Sequence, residues 1–172
     1  AQALDISIND LFPPTNEVYK TNTQTISLVS ESSYTYVPTS ISAGLPLEID
    51  GMTEMDLETI HIPDALMGKW AGREDIFMTR VNGDSMNKVI PHTSLIAVKE
   101  VTLEELYDND IVVFSNGCDY SVKRFFNDKQ NKRLIFRPDS YDNRFFDYTV
   151  PYEDATNIKI HGKVVMYVAT LN

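Results

Sequence analysis

Residues 110–126 read DIVVFSNGCDYSVKRFF. Two runs rich in β-branched and aromatic residues flank Ser115-Asn116-Gly117. Asn-Gly between such runs is a strong short-range sign of a β-hairpin, because both residues tolerate positive φ. In the second arm Ser121, Lys123 and Phe125 fall on one face, and Tyr120, Val122, Arg124 and Phe126 on the other. Lys123 thus has an aromatic neighbour two residues on and apolar residues around it.

Working outward, the same texture recurs. TISLVS (25–30), SYTYVPTSI (33–41), DIFMTRV (75–81), SLIAVKE (94–100), KRLIFRP (132–138) and NIKIHGKVVMYVATL (157–171) are short strand-like runs separated by turn residues. Helical stretches are expected only within EMDLETIHIPDALMGKW (54–70), TLEELY (102–107) and the first twelve residues, where Leu4, Ile8, Leu11 and Phe12 recur at helical spacing. PPTNEVYKTNTQT (13–25) is polar and led by prolines, and reads as a linker. The expectation is a mainly β fold of twisted antiparallel sheets with a short helical remnant ahead of it. The expected boundaries are 1–12 for the remnant, 13–32 for the linker and 33–172 for the β domain.

Bulk properties narrow the function classes. A chain of 172 residues with 42% hydrophobic and 23% charged residues can bury one core. Its net charge of −10 argues against binding nucleic acid through a general basic field. The single cysteine, Cys118, excludes an internal disulfide and a Cys-rich metal centre, and no metal or other cofactor is implied. No apolar run reaches the roughly 18 residues that span a membrane.

Three elements carry candidate chemistry. The first is NGDSMNK (82–88), directly after a strand-like run. Ser85 there is either a turn-capping serine or a nucleophile presented at the tip of a turn, and a nucleophile needs a base. His61, His92 and His161 lie in strand or turn contexts with no oriented partner in view, and the G-x-S-x-G elbow is absent. A lysine serves when it is neutral, which burial in apolar surroundings promotes. Lys123 is the lysine best placed for that; Lys88, Lys99, Lys129 and Lys132 sit beside polar residues or loops. The third element is SAGLP (42–46), either a plain strand-ending turn or a bond whose small residues let the backbone approach a nucleophile.

Taken together these elements resemble the LexA-like family of self-cleaving serine peptidases, which includes LexA and phage CI repressors and the UmuD mutagenesis protein. The resemblance rests on Ala43-Gly44, on Val81-x-Gly83-Asp84-Ser85-Met86, on Asp110-Ile111-Val112-Val113, and on Ser121-Val122-Lys123-Arg124. Ser85 and Lys123 stand 38 positions apart, close to the family's spacing. Weaker matches are Arg137-Pro138-Asp139-Ser140 with Tyr141, and Gly162 in the closing strand. The chain departs from many relatives by placing its proline late, after Asn87-Lys88-Val89-Ile90, and by a long segment between Gly44 and Ser85.

The resemblance implies the LexA-like C-terminal peptidase and dimerisation fold. It implies a serine peptidase acting on its own chain, with Ser85 as nucleophile, Lys123 as base and Ala43-Gly44 as the bond cut. The Asp84 and Ser85 amides would form the oxyanion hole, and Ile41 would fill a substrate subsite. It further implies a homodimer, stimulation by the activated RecA filament, an antirepressor as a possible partner, and a place in the cytoplasm of a bacterial host. Operator DNA would be reached only through a helix-turn-helix domain, of which AQALDISINDLF resembles the last part. The reading is therefore the C-terminal part of a phage or prophage CI-like repressor inactivated in SOS induction. The alternatives are a UmuD-like polymerase accessory protein, a dimerisation module that does not cleave, and a signal-peptidase-like enzyme, against which the missing membrane anchor argues.

Overall fold

The computed structural model describes residues 30–38, 57–117 and 119–171. The expected helical remnant at 1–12, the polar segment 13–25 and nearly all of the expected strand 25–30 lie outside the described residues. Among the described residues nine strands form one sheet in the order β2-β1-β3-β4-β9-β5-β6-β7-β8. Their ranges are β1 Glu31–Val37, β2 Glu58–Pro63, β3 Ile76–Arg80, β4 Leu95–Lys99, β5 Ile111–Asn116, β6 Asp119–Asp128, β7 Arg133–Arg137, β8 Tyr148–Pro151 and β9 Ile158–Val168. The mainly β expectation holds, with one refinement: β1 and β3 run parallel, so the sheet is mixed. β1 begins at Glu31, two residues before the boundary drawn from the sequence.

Three readings change. Residues 58–63, expected within a helix, form the edge strand β2, paired antiparallel with β1 from Glu31↔Pro63 to Tyr36↔Glu58. Ile60 and Ile62 alternate onto the core there, so tertiary pairing outweighs a weak helical pattern. Among the described residues of that stretch, helix is confined to α1, Asp64–Met67, and a 3₁₀ turn over Gly68–Trp70. The hairpin register differs from the one Asn-Gly suggests. Asn116 pairs with Asp119 and so belongs to the ladder itself, and its side chain donates to the Tyr148 hydroxyl. The strand β8 and the 3₁₀ turn Tyr152–Asn157 were not anticipated. TLEELY holds a 3₁₀ turn, Leu103–Glu105, closed by a Thr102/Glu105 capping box.

Strand alternation builds the core. Phe77 and Val81 around β3, and Ile96 and Val98 of β4, join Val37, Met86, Ile90 and Val113 in one cluster. Their neighbours Ile76, Met78, Leu95 and Ala97 point the other way, into a cluster with Tyr34, Ile62 and Met67. A third cluster gathers Val112, Phe114, Phe125, Leu134, Phe136 and Val150 at the far half of the sheet.

β9 joins the halves, lying between β4 and β5 with a register shift against each. Gly162 sits at that junction. A Cβ built there would lie 2.4 Å from the Lys99 carbonyl oxygen and 2.7 Å from Val98 Cγ1. Because the first obstacle is backbone, relief requires the β4–β9 ladder to move. Gly162→Ala is expected to cost about 1–3 kcal/mol or more in chemical unfolding; an unchanged midpoint would show that the two strands separate freely.

Candidate active site

Ser85 lies in the turn that follows β3. The turn is held by hydrogen bonds from Asn87 N–H to Asp84 C=O (3.3 Å), Val89 N–H to Met86 C=O (2.9 Å) and Ile90 N–H to Met86 C=O (2.8 Å). Met86 and Ile90 are fully buried and peg it into the first core cluster. The residue after the serine is therefore an anchor, which leaves Ser85 itself on the open side. Gly83 adopts φ +124°, a conformation that side chains rarely take, and a Cβ there would meet nothing within 4 Å. The cost of Gly83→Ala is thus backbone strain without a clash, expected at about 1–3 kcal/mol in chemical unfolding. A variant as stable as the parent would mean that the turn accepts another conformation.

Lys123 comes from β6, where it pairs with Val112 of β5. Its Nζ reaches Ser85 Oγ at 2.6 Å and the Val122 carbonyl oxygen at 3.1 Å. Burial lowers its pKa from the usual 10.5 to about 8, the cause being desolvation of the ammonium. At pH 7 that raises the neutral fraction by more than two orders of magnitude, to roughly a tenth. A neutral amine has two hydrogens and a lone pair. With one hydrogen on the Val122 carbonyl, the lone pair can accept the Ser85 hydroxyl proton. A hydroxyl and an amine in such contact have the geometry that a nucleophile and its base require.

The pair opens onto a cleft of about 350 Å³ whose lining includes Val37, Thr79, Asp84, Tyr120, Val122 and Phe145. Thr79 Oγ1 donates to the Val37 carbonyl at 2.7 Å, fixing the end of β1 at this rim. The histidines are engaged elsewhere. His92 Nδ1 accepts from Gly83 N–H at 3.0 Å, His61 Nδ1 lies 3.2 Å from Ser33 Oγ, and His161 Nε2 lies 2.8 Å from Ser115 Oγ. Burial, reinforced by the Lys159 charge, pushes the His161 imidazole down to about 4, so it is neutral at physiological pH. Among the described residues no group of His, Cys, Asp and Glu is placed to hold a metal ion. No helix among them is long and apolar enough to cross a membrane.

Of the residues singled out from sequence, Ser85, Asp84 and Lys123 converge on this cleft. Ile41, Ala43 and Gly44 lie outside the described residues. Sequence reasoning missed the supports. Asp139 N–H donates to the Ser85 carbonyl at 2.8 Å, its carbonyl accepts from Lys88 N–H at 3.0 Å, and its carboxylate takes Arg124 Nε at 2.7 Å. The Arg-Pro-Asp-Ser run was visible as a motif, but nothing local tied it to the serine.

A family model described as Peptidase S24-like matches residues 35–165. The LexA repressor of Exiguobacterium sibiricum is 30% identical over 135 residues, which cover 77% of this chain and 57% of the relative. The chain thus spans a little over half the length of that relative.

Proposed function

Because the chain belongs to the Peptidase S24-like family, we propose that it is a self-cleaving serine peptidase in which Ser85 attacks Ala43 and Lys123 serves as base. The observation that carries this reading is the 2.6 Å contact between a largely buried lysine amine and a turn serine beside an open cleft. Neutral Lys123 takes the Ser85 Oγ proton as Oγ adds to the Ala43 carbonyl carbon. The oxyanion is held by the Asp84 and Ser85 amides, the Gly83 amide being committed to His92. On collapse Lys123 passes the proton to the Gly44 nitrogen, which leaves. Water then hydrolyses the Ser85–Ala43 ester, with Lys123 as base again.

The substrate is held in the same chain. Val37 lines the cleft, and the six residues from there to Ala43 span at most about 20 Å when extended, enough to enter it. Tethering removes the bimolecular entropy cost, so a modest site suffices. Ile41, two residues before the bond, would occupy an apolar subsite.

The wider role proposed is that of a CI-like repressor of a phage or prophage, dimerising through this domain in the cytoplasm of a bacterial host. Operator DNA would be read by a separate N-terminal helix-turn-helix domain. Cutting between that domain and the dimerisation domain removes the affinity gained by binding two half-sites together. Activated RecA would favour the docked state of the cleavage segment, and an antirepressor would act on the same repressor. The relative's name, LexA repressor, supports the repressor reading.

Incubation near pH 10 followed by intact mass tests the central claim. Fragments 1–43 and 44–172 are expected. An intact chain would favour the non-cleaving dimerisation module, and a different cut would displace Ala43-Gly44.

A further inference from the structure

We propose that Arg124 and Asp139 act as a positioning clamp that sets the distance between Ser85 and Lys123, with Asn87 as its second attachment. This inference rests on reading Ser85 and Lys123 as nucleophile and base.

The need for such a device follows from topology. Ser85 follows β3, whereas Lys123 belongs to β6, and β4, β9 and β5 stand between them in the sheet. No ladder hydrogen bond joins the two strands directly, so small changes in twist across three strands would accumulate at the Nζ–Oγ contact. The 138–141 segment bypasses that path. Asp139 brackets the nucleophile turn with its backbone, donating to the Ser85 carbonyl at 2.8 Å and accepting from Lys88 N–H at 3.0 Å. Its carboxylate accepts Arg124 Nε at 2.7 Å, and Arg124 is the residue next to Lys123 on β6. Arg124 Nη1 also donates to the Asn109 carbonyl at 3.3 Å, which ties it to the start of the β5–β6 hairpin. At the turn's other end Asn87 Oδ1 accepts from Ser140 Oγ at 3.1 Å and from Tyr141 N–H at 3.0 Å. One short segment is therefore fastened to the serine's own carbonyl and to the lysine's neighbour.

The ion pair is partly shielded, with the two side chains 21% and 26% exposed. Pairs of this kind add little net stability, because desolvation offsets attraction. Their effect is to select one arrangement, so the consequence of losing the clamp is looked for in the chemistry more than in the unfolding midpoint.

The test uses the full chain and a small fluorophosphonate, followed by intact mass across pH 6–10. Labelling needs Ser85 and Lys123 but not the cleavage segment, so it reads the pair alone. The double variant Arg124→Met/Asp139→Ala keeps the local net charge. Its plateau labelling rate and its self-cleavage rate are expected to fall together by about 10- to 100-fold. The pH midpoint should stay where it is in the parent. Asn87→Ala, which changes no charge, should lower both rates several-fold. It also serves if the double variant does not fold. A folded variant that labels at the parent rate overturns the clamp. So does a loss that tracks the folded fraction, a shift of pH midpoint at constant plateau, or a loss in cleavage without a loss in labelling. A parent chain that is never labelled at Ser85 sinks the nucleophile reading and the clamp with it, and that failure shows before any variant is compared.

Discussion

Self-cleavage is expected to disappear in Ser85→Ala and to fall by about 10²–10⁴-fold at pH 8 in Lys123→Ala. Both effects follow from the same contact. Removing Oγ deletes the atom that bonds to the carbonyl carbon, whereas removing the amine leaves Oγ in place with no acceptor for its proton. The pH profile carries the sign. Only neutral Lys123 can accept, and burial places its pKa at about 8. The parent rate should therefore rise about tenfold per pH unit below that value and level off above it. An unperturbed lysine would still be gaining rate near pH 10. Lys123→Arg is the sharpest control, because guanidinium keeps charge and reach but does not deprotonate in this range. It should stay inactive throughout. Activity in Lys123→Arg that rises through pH 8 would assign the base to another group, and cleavage surviving Ser85→Ala would remove the serine mechanism altogether. Following the parent and the three variants by intact mass over pH 6–10 decides between these outcomes.

The largest effect on stability is expected from Phe136→Ala, at about 3–5 kcal/mol in chemical unfolding. Phe136 is fully buried in β7. Its ring stacks on Phe114 with centroids 3.9 Å apart and meets Phe125 edge-on at 5.9 Å. Truncation would leave a cavity between three strands, since Phe114 belongs to β5 and Phe125 to β6. Against a total stability of roughly 5–15 kcal/mol the loss is large. It also reaches the site, because Phe136 pairs with Phe125, two residues beyond Lys123 on β6. Phe126 provides the comparison. It is half-buried and its ring faces the Arg137 guanidinium at 4.9 Å. Phe126→Ala should cost about 1 kcal/mol, the scale of a partly solvated cation–π contact and its packing. Equal losses for the two variants would show that the third cluster is not a packed core.

Individual elements show how far the sequence could be read. The runs at 75–81, 94–100, 110–115, 119–126 and 132–138 all became strands, because each combines β-branched or aromatic residues with bounding turn residues. The edge strand at 58–63 did not stand out. It is short, its neighbours include helix formers, and what makes it a strand is the ladder to β1. The hairpin was legible but its register was not: Asn116-Gly117 predicts the turn itself, whereas strand pairing takes Asn116 into the ladder opposite Asp119. At the site, Ser85 and Lys123 were found through motifs in order along the chain. Arg124 and Asp139 stood in the matched motifs but without a role, and Asn87 had none either, since a charged strand residue, an aspartate after proline and a turn asparagine have ordinary local explanations.

What the sequence alone determined was therefore local or additive. The strand periods, the excess of acidic charge, the glycine in the Ser85 turn and the residue types able to serve as nucleophile and base are all of this kind. The tertiary structure decided the rest. It set the parallel β1–β3 pairing, the placement of β9 between the two halves, the 2.6 Å contact across 38 positions and the coupling of Arg124 to the serine turn through Asp139. The physical reason is that alternation tells which way a side chain points but not which strand lies beside it. Likewise, the pKa of Lys123 is not a property of its neighbours in the chain. It depends on how much water the folded sheet and the Ser85 turn exclude from its amine, and that exclusion exists only once both are in place.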